Sequence, residues 1–246
     1  MLMNSTPPSP PVLPERRSWH ILIILLVSSL APGLAQESPP AATPPGAPPI
    51  RSVGPGLFEL GPVTLDKNRK AVTFPAFISM HEGVIEYLLV TTGGKTHESL
   101  LRTDVQPYHI HLALLLLGAK GAQTNVYPED QTLPIPGDRL SVTVTWTAKG
   151  KEKSRPAEHL VLNRRTRTPA SPGPWTHNGS RTVAGTFLAQ RDGSIVSLIT
   201  DGDALINNPR PGREDDEHWE INQAELPPIN TPVQVTLKLD PDKPKP

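Results

Sequence analysis

The alternation of apolar and polar side chains along the chain predicts a fold built mainly of β-strands. Two strands are expected at residues 63–65 and 71–77, where β-forming residues flank a polar loop of hairpin length. Residues 85–92 carry apolar side chains on both faces, which predicts a central position in a sheet. Residues 140–148 and 233–239 alternate as half-buried strands do.

Weaker patterns of apolar and polar residues predict three further strands. Residues 158–162 follow a glycine turn and are expected to pair with the strand before it. Residues 182–190 and 194–200 flank the dipeptide Asp192-Gly193, which is typical of two-residue hairpin loops. These two segments are therefore predicted to form a hairpin.

One segment, at about residues 104–118, has the pattern of a helix. Pro107 suits the first turn, where a missing N–H costs little, and Thr103 or Asp104 can cap the helix. Residues 110–117 are apolar around most of the circumference, which predicts burial on more than one side. The predicted fold class is α+β, a mainly antiparallel β-sheet with one buried α-helix packed across it.

The N-terminal residues have the organisation of an export signal. Arg16 and Arg17 precede an apolar run at 21–30, and small residues follow as far as Ala35. We predict a signal peptide over residues 1–35, with an uncleaved membrane anchor as the alternative. The protein is then exported and periplasmic or extracellular, and it contacts the membrane only through this segment if the segment is uncleaved.

The rest of the chain divides into a linker, one domain and a short tail. Residues 36–50 are rich in proline, alanine and serine, a composition that predicts a disordered linker. Residues 51–240 are expected to form a single globular domain, because a chain of that length can bury a core. Residues 241–246 are predicted to be a disordered tail.

Composition narrows the chemistry that the chain can perform. The 24 basic and 24 acidic side chains cancel, so the sequence lacks the basic footprint of a nucleic-acid-binding protein. It has no cysteine, which excludes disulfides and thiolate metal sites. The basic run at 163–167 and the acidic run at 214–217 are expected to be solvated loops, and residues 178–180 a turn.

The most versatile side chains follow the predicted strand at 85–92. They form one run, which we call the 93–99 segment: Gly93, Gly94, Lys95, Thr96, His97, Glu98 and Ser99. Its Gly-Lys pair is not a phosphate-binding loop, because Leu89 stands where that motif needs a glycine. If the segment is extended, Lys95, His97 and Ser99 share one side but lie too far apart for a local catalytic triad.

This segment and the helix after it resemble the YdjY-domain family of exported bacterial proteins. The mark of the family is a strand ending in Gly-Gly-Lys-x-His-Glu-Ser, followed by a proline-led apolar helix that ends in Leu-Gly-Ala. Pro107 and residues 117–119 match the second part, and the resemblance extends over about residues 53–239. It implies no particular activity, ligand or cofactor.

A structural and a binding interpretation of the 93–99 segment are both open. In the first, Glu98 pairs with Lys95, Arg102 or Arg69, while His97 or Ser99 caps the backbone. In the second, Gly93 and Gly94 let a ligand approach the backbone closely. The ligand-binding candidates are then Gly93, Gly94, Lys95, His97, Glu98 and Ser99.

Two further interpretations assign a catalytic or a metal-binding role to this segment. One is a hydrolase-like enzyme centred on Lys95, His97 and Glu98. The other is a divalent-metal site formed by His97, Glu98 and His111. His109 points about 200° away from His111 on a helix, so only one of them can join such a site. We expect His109 to be exposed or to cap the helix, and His111 to be hydrogen-bonded at the edge of the core.

Taken together, the patterns predict an exported cell-envelope protein. They favour a non-catalytic module that binds a ligand or a protein partner and is presented on a proline-rich linker. The ligand, any cofactor and the oligomeric state are not predicted by the sequence.

Overall fold

The computed structural model describes residues 48–122, 130 and 132–240. The predicted signal peptide, most of the predicted linker and the predicted tail lie outside the described residues. The β-strands, numbered in chain order, are β1 (Ile50–Gly54), β2 (Leu57–Leu60), β3 (Val63–Asp66), β4 (Ala71–Ile78), β5 (Tyr87–Thr91), β6 (Ser99–Thr103), β7 (Asp138–Ala148), β8 (Lys151–Pro156), β9 (Val161–Asn163), β10 (Thr168–Pro169), β11 (Trp175–His177), β12 (Thr182–Val183), β13 (Thr186–Phe187), β14 (Ser194–Ser197), β15 (Ile206–Asn207), β16 (Trp219–Ile221) and β17 (Pro232–Leu239). The α-helices are α1 (Pro107–Leu116) and α2 (Leu188–Asp192), and short 3-10 helices lie at Thr96–Glu98, Ala157–Leu160 and Gln223–Glu225.

Eight of these strands close into a β-barrel. Their order is β4-β17-β7-β11-β15-β14-β5-β6, and β6 pairs again with β4. Only the neighbours β5–β6 and β14–β15 are parallel. The predicted α+β fold, a sheet with a helix across it, is therefore wrong. Local alternation shows that a segment is a strand, but it does not show that the first and last strands of a sheet meet.

The barrel closes along one edge of β4. The start of that edge pairs with β3, and its end pairs with β6 through Phe77 and Ile78. Pro75 lies between the two pairings and has no N–H to donate. The Thr103 hydroxyl donates to the Pro75 carbonyl at 2.6 Å, so a side chain bridges the seam at this point.

The core follows the alternation that the sequence shows. On β17, Val233, Val235, Leu237 and Leu239 are all buried. In register, Val235 lies opposite Val144 of β7 and Leu237 opposite Val142. The strands predicted at the first hairpin, at 85–92, at 140–148 and at 233–239 are present. All five strands also belong to the barrel or to the sheet that extends from it.

The remaining strands lie outside the eight-stranded barrel. β1, β2 and β3 continue the sheet from β4, and β8 pairs with β7. The strands β10, β9 and β16 form a separate three-stranded sheet, and β12 and β13 form a short hairpin.

Helix α1 is shorter and less buried than predicted. It begins at Pro107, and neither Thr103 nor Asp104 caps it, because the N-cap residue is Gln106. Ile110, Ala113 and Leu114 are buried, whereas Leu115 and Leu116 are 41% and 40% exposed. The helix packs against β3, β4 and α2. The barrel wall covers only one side of the helix, so an apolar residue on the far side stays in solvent.

Two local predictions in the second half are also wrong. The partner of β7 is β8, which follows it directly, while residues 157–160 form a 3-10 helix. Asp192-Gly193 does not form a hairpin loop but ends α2, with Gly193 in the left-handed conformation at a φ of 73°. Asn, Asp and Gly suit both kinds of turn, so local chemistry does not distinguish them.

Among the described residues, no helix has both the length and the hydropathy needed to cross a lipid bilayer.

Candidate functional site

The 93–99 segment is a turn between two barrel strands. β5 ends at Thr91, a 3-10 helix spans Thr96–Glu98, and β6 begins at Ser99. The interpretation of an extended segment with alternating sides is therefore wrong. A 3-10 helix places side chains three positions apart on the same face, which brings Lys95 and Glu98 together.

The Lys95 ammonium lies between two carboxylates. Its Nζ is 3.2 Å from Glu86 Oε2 and 3.7 Å from Glu98 Oε2. It also lies 5.1 Å from the centre of the Tyr87 ring, within the range of a cation–π contact. Partial burial alone lowers the pKa of Lys95, but the hydrogen bond to Glu86 and the nearby carboxylates raise this pKa above its usual value.

The two carboxylates share this single ammonium. Burial, and then the neighbouring Glu98 carboxyl, raise the pKa of Glu86 above its usual value. Glu98 Oε2 is buried and has no hydrogen-bond partner. Of the three predicted partners of Glu98, the structure pairs it with Lys95. Arg102 instead donates to Ile78 and Asn230.

His97 and Ser99 have opposite environments. The His97 side chain is 77% exposed, and its Nε2 lies 2.9 Å from Glu98 Oε1. Ser99 is fully buried, and its hydroxyl donates to the Lys95 carbonyl at 2.7 Å. The predicted backbone-capping role thus falls to Ser99, while His97 is the side chain that reaches solvent.

The two glycines differ in what surrounds them. A Cβ atom on Gly93 would meet nothing within 4 Å. A Cβ atom on Gly94 would lie 3.2 Å from the Asp192 carbonyl oxygen and 3.3 Å from that of Gly193. Gly94 therefore allows the turn to pack against the end of α2, whereas Gly93 leaves open space beside the turn.

Behind the turn, buried Tyr87 and half-buried Asp201 form a pair that the sequence did not single out. The Tyr87 hydroxyl donates to Asp201 Oδ2 at 3.1 Å. Burial, followed by the Asp201 carboxylate, raises the pKa of Tyr87. Burial likewise raises the pKa of Asp201, although hydrogen bonds from the Asp203 backbone and from Tyr87 oppose that shift.

Comparison with known families identifies the domain that carries this turn. The family model of the YdjY domain matches residues 63–238. The chain belongs to the YdjY domain family. No curated protein and no solved structure shows significant similarity to it.

A second polar cluster of the YdjY domain lies beside α1. The register between β7 and β11 places His177 opposite Asp138. His177 Nδ1 is 3.6 Å from Asp138 Oδ2, and His177 Nε2 is 3.4 Å from Nδ1 of His111 on α1. His111 is thus paired at the edge of the core, as expected, but with His177 and not with His97.

Buried surroundings shift the acid–base properties of this cluster. Burial, with the nearby His177, lowers the pKa of His111 to about 4. Burial alone raises the pKa of Asp138, but the nearby His177 and hydrogen bonds from the backbone N–H groups of Lys120 and Gly121 bring it to about 2. The sequence signal for this cluster was weak, because its three members are separated by more than 25 residues each.

The fold of the YdjY domain also brings together two loops that are far apart in the sequence. Arg164 of the basic run lies 2.9 Å from Glu217 of the acidic run. Together with Arg165, Asp215 and His218 they line an open cavity of about 310 Å³. Both runs are largely exposed, as expected.

The 178–180 turn is not a surface feature. Asn178 is 2% exposed, donates to the Ala204 carbonyl and accepts from Asn207. Its amide is therefore part of a buried polar network of the YdjY domain.

The predicted metal ligands His97, Glu98 and His111 do not form one site. In the described part of the chain, no group of three histidine, cysteine or acidic residues is arranged to hold a metal ion.

Proposed function

We propose that this YdjY domain is a non-catalytic module that binds a partner through the 93–99 segment, and that it works outside the cytoplasm. The observation that supports binding is the exposure of His97 on a turn whose other charged groups are held in place by one another. A partner can contact this turn without first breaking the fold.

The geometry of Ser99 does not favour the hydrolase alternative. A serine nucleophile needs an accessible hydroxyl and a base that accepts its proton. The Ser99 hydroxyl is buried and donates to a backbone carbonyl. Lys95, the nearby amine, is held by two carboxylates and has a raised pKa, so it stays protonated near neutral pH and is a poor base.

Charge at the turn favours a partner with a basic group. Two carboxylates, those of Glu86 and Glu98, face one ammonium, that of Lys95. The carboxylates at the turn thus outnumber the lysine ammonium. Electrostatic complementarity increases association with a cation and disfavours an anion.

The proposed location outside the cytoplasm is supported by the sequence. Basic residues, a short apolar run and small residues up to Ala35 follow one another as in a signal peptide. The N-terminal sequence of protein recovered from the exported fraction should begin at or near Gln36. Recovery of the intact chain from the cytoplasm alone would contradict export.

Binding can be tested with two probes of opposite charge. We expect tri-lysine peptide, added at low ionic strength, to shift the NMR amide signals of residues 93–99, and inorganic phosphate to leave them unchanged. Glu98→Gln should weaken the response to tri-lysine, because it removes one of the two carboxylates. Glu214→Gln, in the acidic run outside the 93–99 segment, is the matched control and should not change the response.

Either of two results would contradict this proposal. One is the absence of any tri-lysine response at the turn in the parent protein. The other is an equal response in the parent and in Glu98→Gln. A response to phosphate alone would mean that the partner is an anion.

A further inference from the structure

The distance between the facing ring nitrogens of His111 and His177 fits a long hydrogen bond and also fits two ligands of one metal ion. The two facing ring nitrogens, His111 Nδ1 and His177 Nε2, are 3.4 Å apart. Hydrogen bonds donated by N–H groups are usually shorter, at about 2.7–3.2 Å. Two nitrogens bound to one tetrahedral Zn²⁺ ion at about 2.0–2.1 Å lie about 3.3 Å from each other. The separation of the two nitrogens therefore already matches that of two ligands of one cation.

Asp138 completes the arrangement as an outer carboxylate. It faces the other nitrogen of His177, Nδ1, at 3.6 Å. Metal-binding histidines usually direct their second ring N–H toward a carboxylate or carbonyl, which fixes the tautomer. With its proton on Nδ1, His177 presents the lone pair of Nε2 toward His111.

The carboxylate of Asp138 is itself fixed. Its Oδ2 atom accepts the backbone N–H groups of Lys120 at 2.6 Å and Gly121 at 2.7 Å. His177 is fully buried on β11, directly opposite Asp138 in the strand register. The backbone thus holds the carboxylate and the first histidine before any ligand binds.

Gly179 leaves space beside the second histidine. A Cβ atom at this position would lie 3.1 Å from His111 Cε1 and 3.7 Å from His111 Nδ1. Any other residue would therefore place a side chain next to the nitrogen that faces His177.

We propose that His111 and His177 form a two-histidine site for a divalent transition-metal cation of the zinc type, with Asp138 orienting His177 from outside the coordination shell. Imidazole is a preferred ligand of such cations. The remaining coordination positions are taken by water or by a ligand that the cation binds. This site is separate from the 93–99 segment and does not depend on the function proposed for that segment.

Cation binding requires one change of tautomer. We assign the His177 proton to Nδ1, because this nitrogen faces the Asp138 carboxylate, and His111 then donates from Nδ1 to His177 Nε2. When the cation binds, the His111 proton moves from Nδ1 to Nε2, and no proton is released in total. A change in the tautomer of His111 therefore shows that a cation has bound at this site.

The first test is a Zn²⁺ titration of the parent protein with ¹⁵N-labelled histidine, followed by NMR. We expect the signals of His111 and His177 to shift and His111 to change from the Nδ1–H to the Nε2–H tautomer. His109, on the same helix but pointing elsewhere, should not respond. If neither His111 nor His177 responds at millimolar Zn²⁺, the proposal is wrong, whatever the behaviour of any variant.

Variants then assign the ligands by calorimetric Zn²⁺ titration. His111→Ala should lose the binding event, and Asp138→Asn should weaken it by about 10–100-fold, as changes to outer-shell partners do. His109→Ala and His97→Ala are the matched controls and should bind as the parent does. Loss of binding in His97→Ala with retention in His111→Ala would place the cation at the 93–99 segment and refute the assignment.

Discussion

At the scale of single residues, two adjacent glycines of the 93–99 segment have different roles. The sequence suggests the same role for both, close approach of a ligand. The structure shows crowding only at Gly94, where a side chain would press on two backbone carbonyls of the α2 end. Backbone atoms cannot move aside as the tip of a flexible side chain can.

Gly94→Ala should therefore destabilise the protein by about 1–3 kcal/mol, the usual cost of overpacking. Gly93→Ala is the matched control and should change the free energy of unfolding by less than about 0.5 kcal/mol, because nothing lies within 4 Å of the new atom. Urea unfolding of both variants measures the difference. Equal stability of the two variants would show that the turn adjusts and that Gly94 is not crowded.

A single residue, Asp201, makes the stability of the protein depend on pH. Its folded pKa is raised by burial, so the folded protein holds the proton more tightly than the unfolded chain does. Between the unfolded value of about 3.9 and the higher folded value, stability must fall as pH rises. At neutral pH the charged form of half-buried Asp201 thus favours folding less than the protonated form does.

Asp201→Asn removes this titration and keeps an oxygen that can accept the Asp203 backbone N–H. The stability of the variant relative to the parent should therefore increase between pH 4 and pH 7. Urea unfolding at both pH values measures the change, with exposed Asp104→Asn as the control. A relative stability that falls over this range would mean that Asp201 is stabilised as a carboxylate.

At the scale of elements, helix α1 shows how tertiary contacts decide burial. Leu114 and Leu115 are neighbours with the same side chain and the same local sequence. Leu114 is fully buried and Leu115 is 41% exposed, because only one face of the helix meets the barrel wall. A uniformly apolar helix gives no periodic signal from which that face can be read.

Leu114→Ala should cost about 2–5 kcal/mol in the free energy of unfolding, as large-to-small changes in a core do. Leu115→Ala should cost less than about 1 kcal/mol, because its side chain already contacts water. Thermal or urea unfolding of the pair gives the comparison. A large loss at Leu115 would show that this face is covered, for example by another protein chain.

At the scale of the whole molecule, the barrel depends on a short seam. β4 and β6 are paired at only two positions, next to a proline that cannot donate a hydrogen bond. The Thr103 hydroxyl bridges this gap by donating to Pro75 and accepting from the Val105 backbone. Thr103 itself is fully buried.

Thr103→Val keeps the shape of the side chain but leaves a buried carbonyl and a buried N–H without their partner. We expect a loss of about 1–3 kcal/mol for each group left unsatisfied. Thr145→Val, which removes an exposed contact to Ser154, is the control and should be nearly neutral. Unfolding in urea tests this, and faster hydrogen exchange of β6 amides would locate the loss at the seam.

By itself, the sequence determined the family and most of the barrel strands. These depend on local alternation and on a contiguous motif, both of which can be read within a few residues. It also identified the 93–99 segment, because its polar side chains stand together in the chain. Whether that segment binds a partner stays a prediction.

Only the tertiary structure decided how the strands close and which distant side chains meet. Barrel closure, the single buried face of α1 and the pairing of His111 with His177 all join residues that are far apart in the chain. Contacts of this kind are set by strand register and by the order of strands around the barrel. No periodicity along the sequence records either of them.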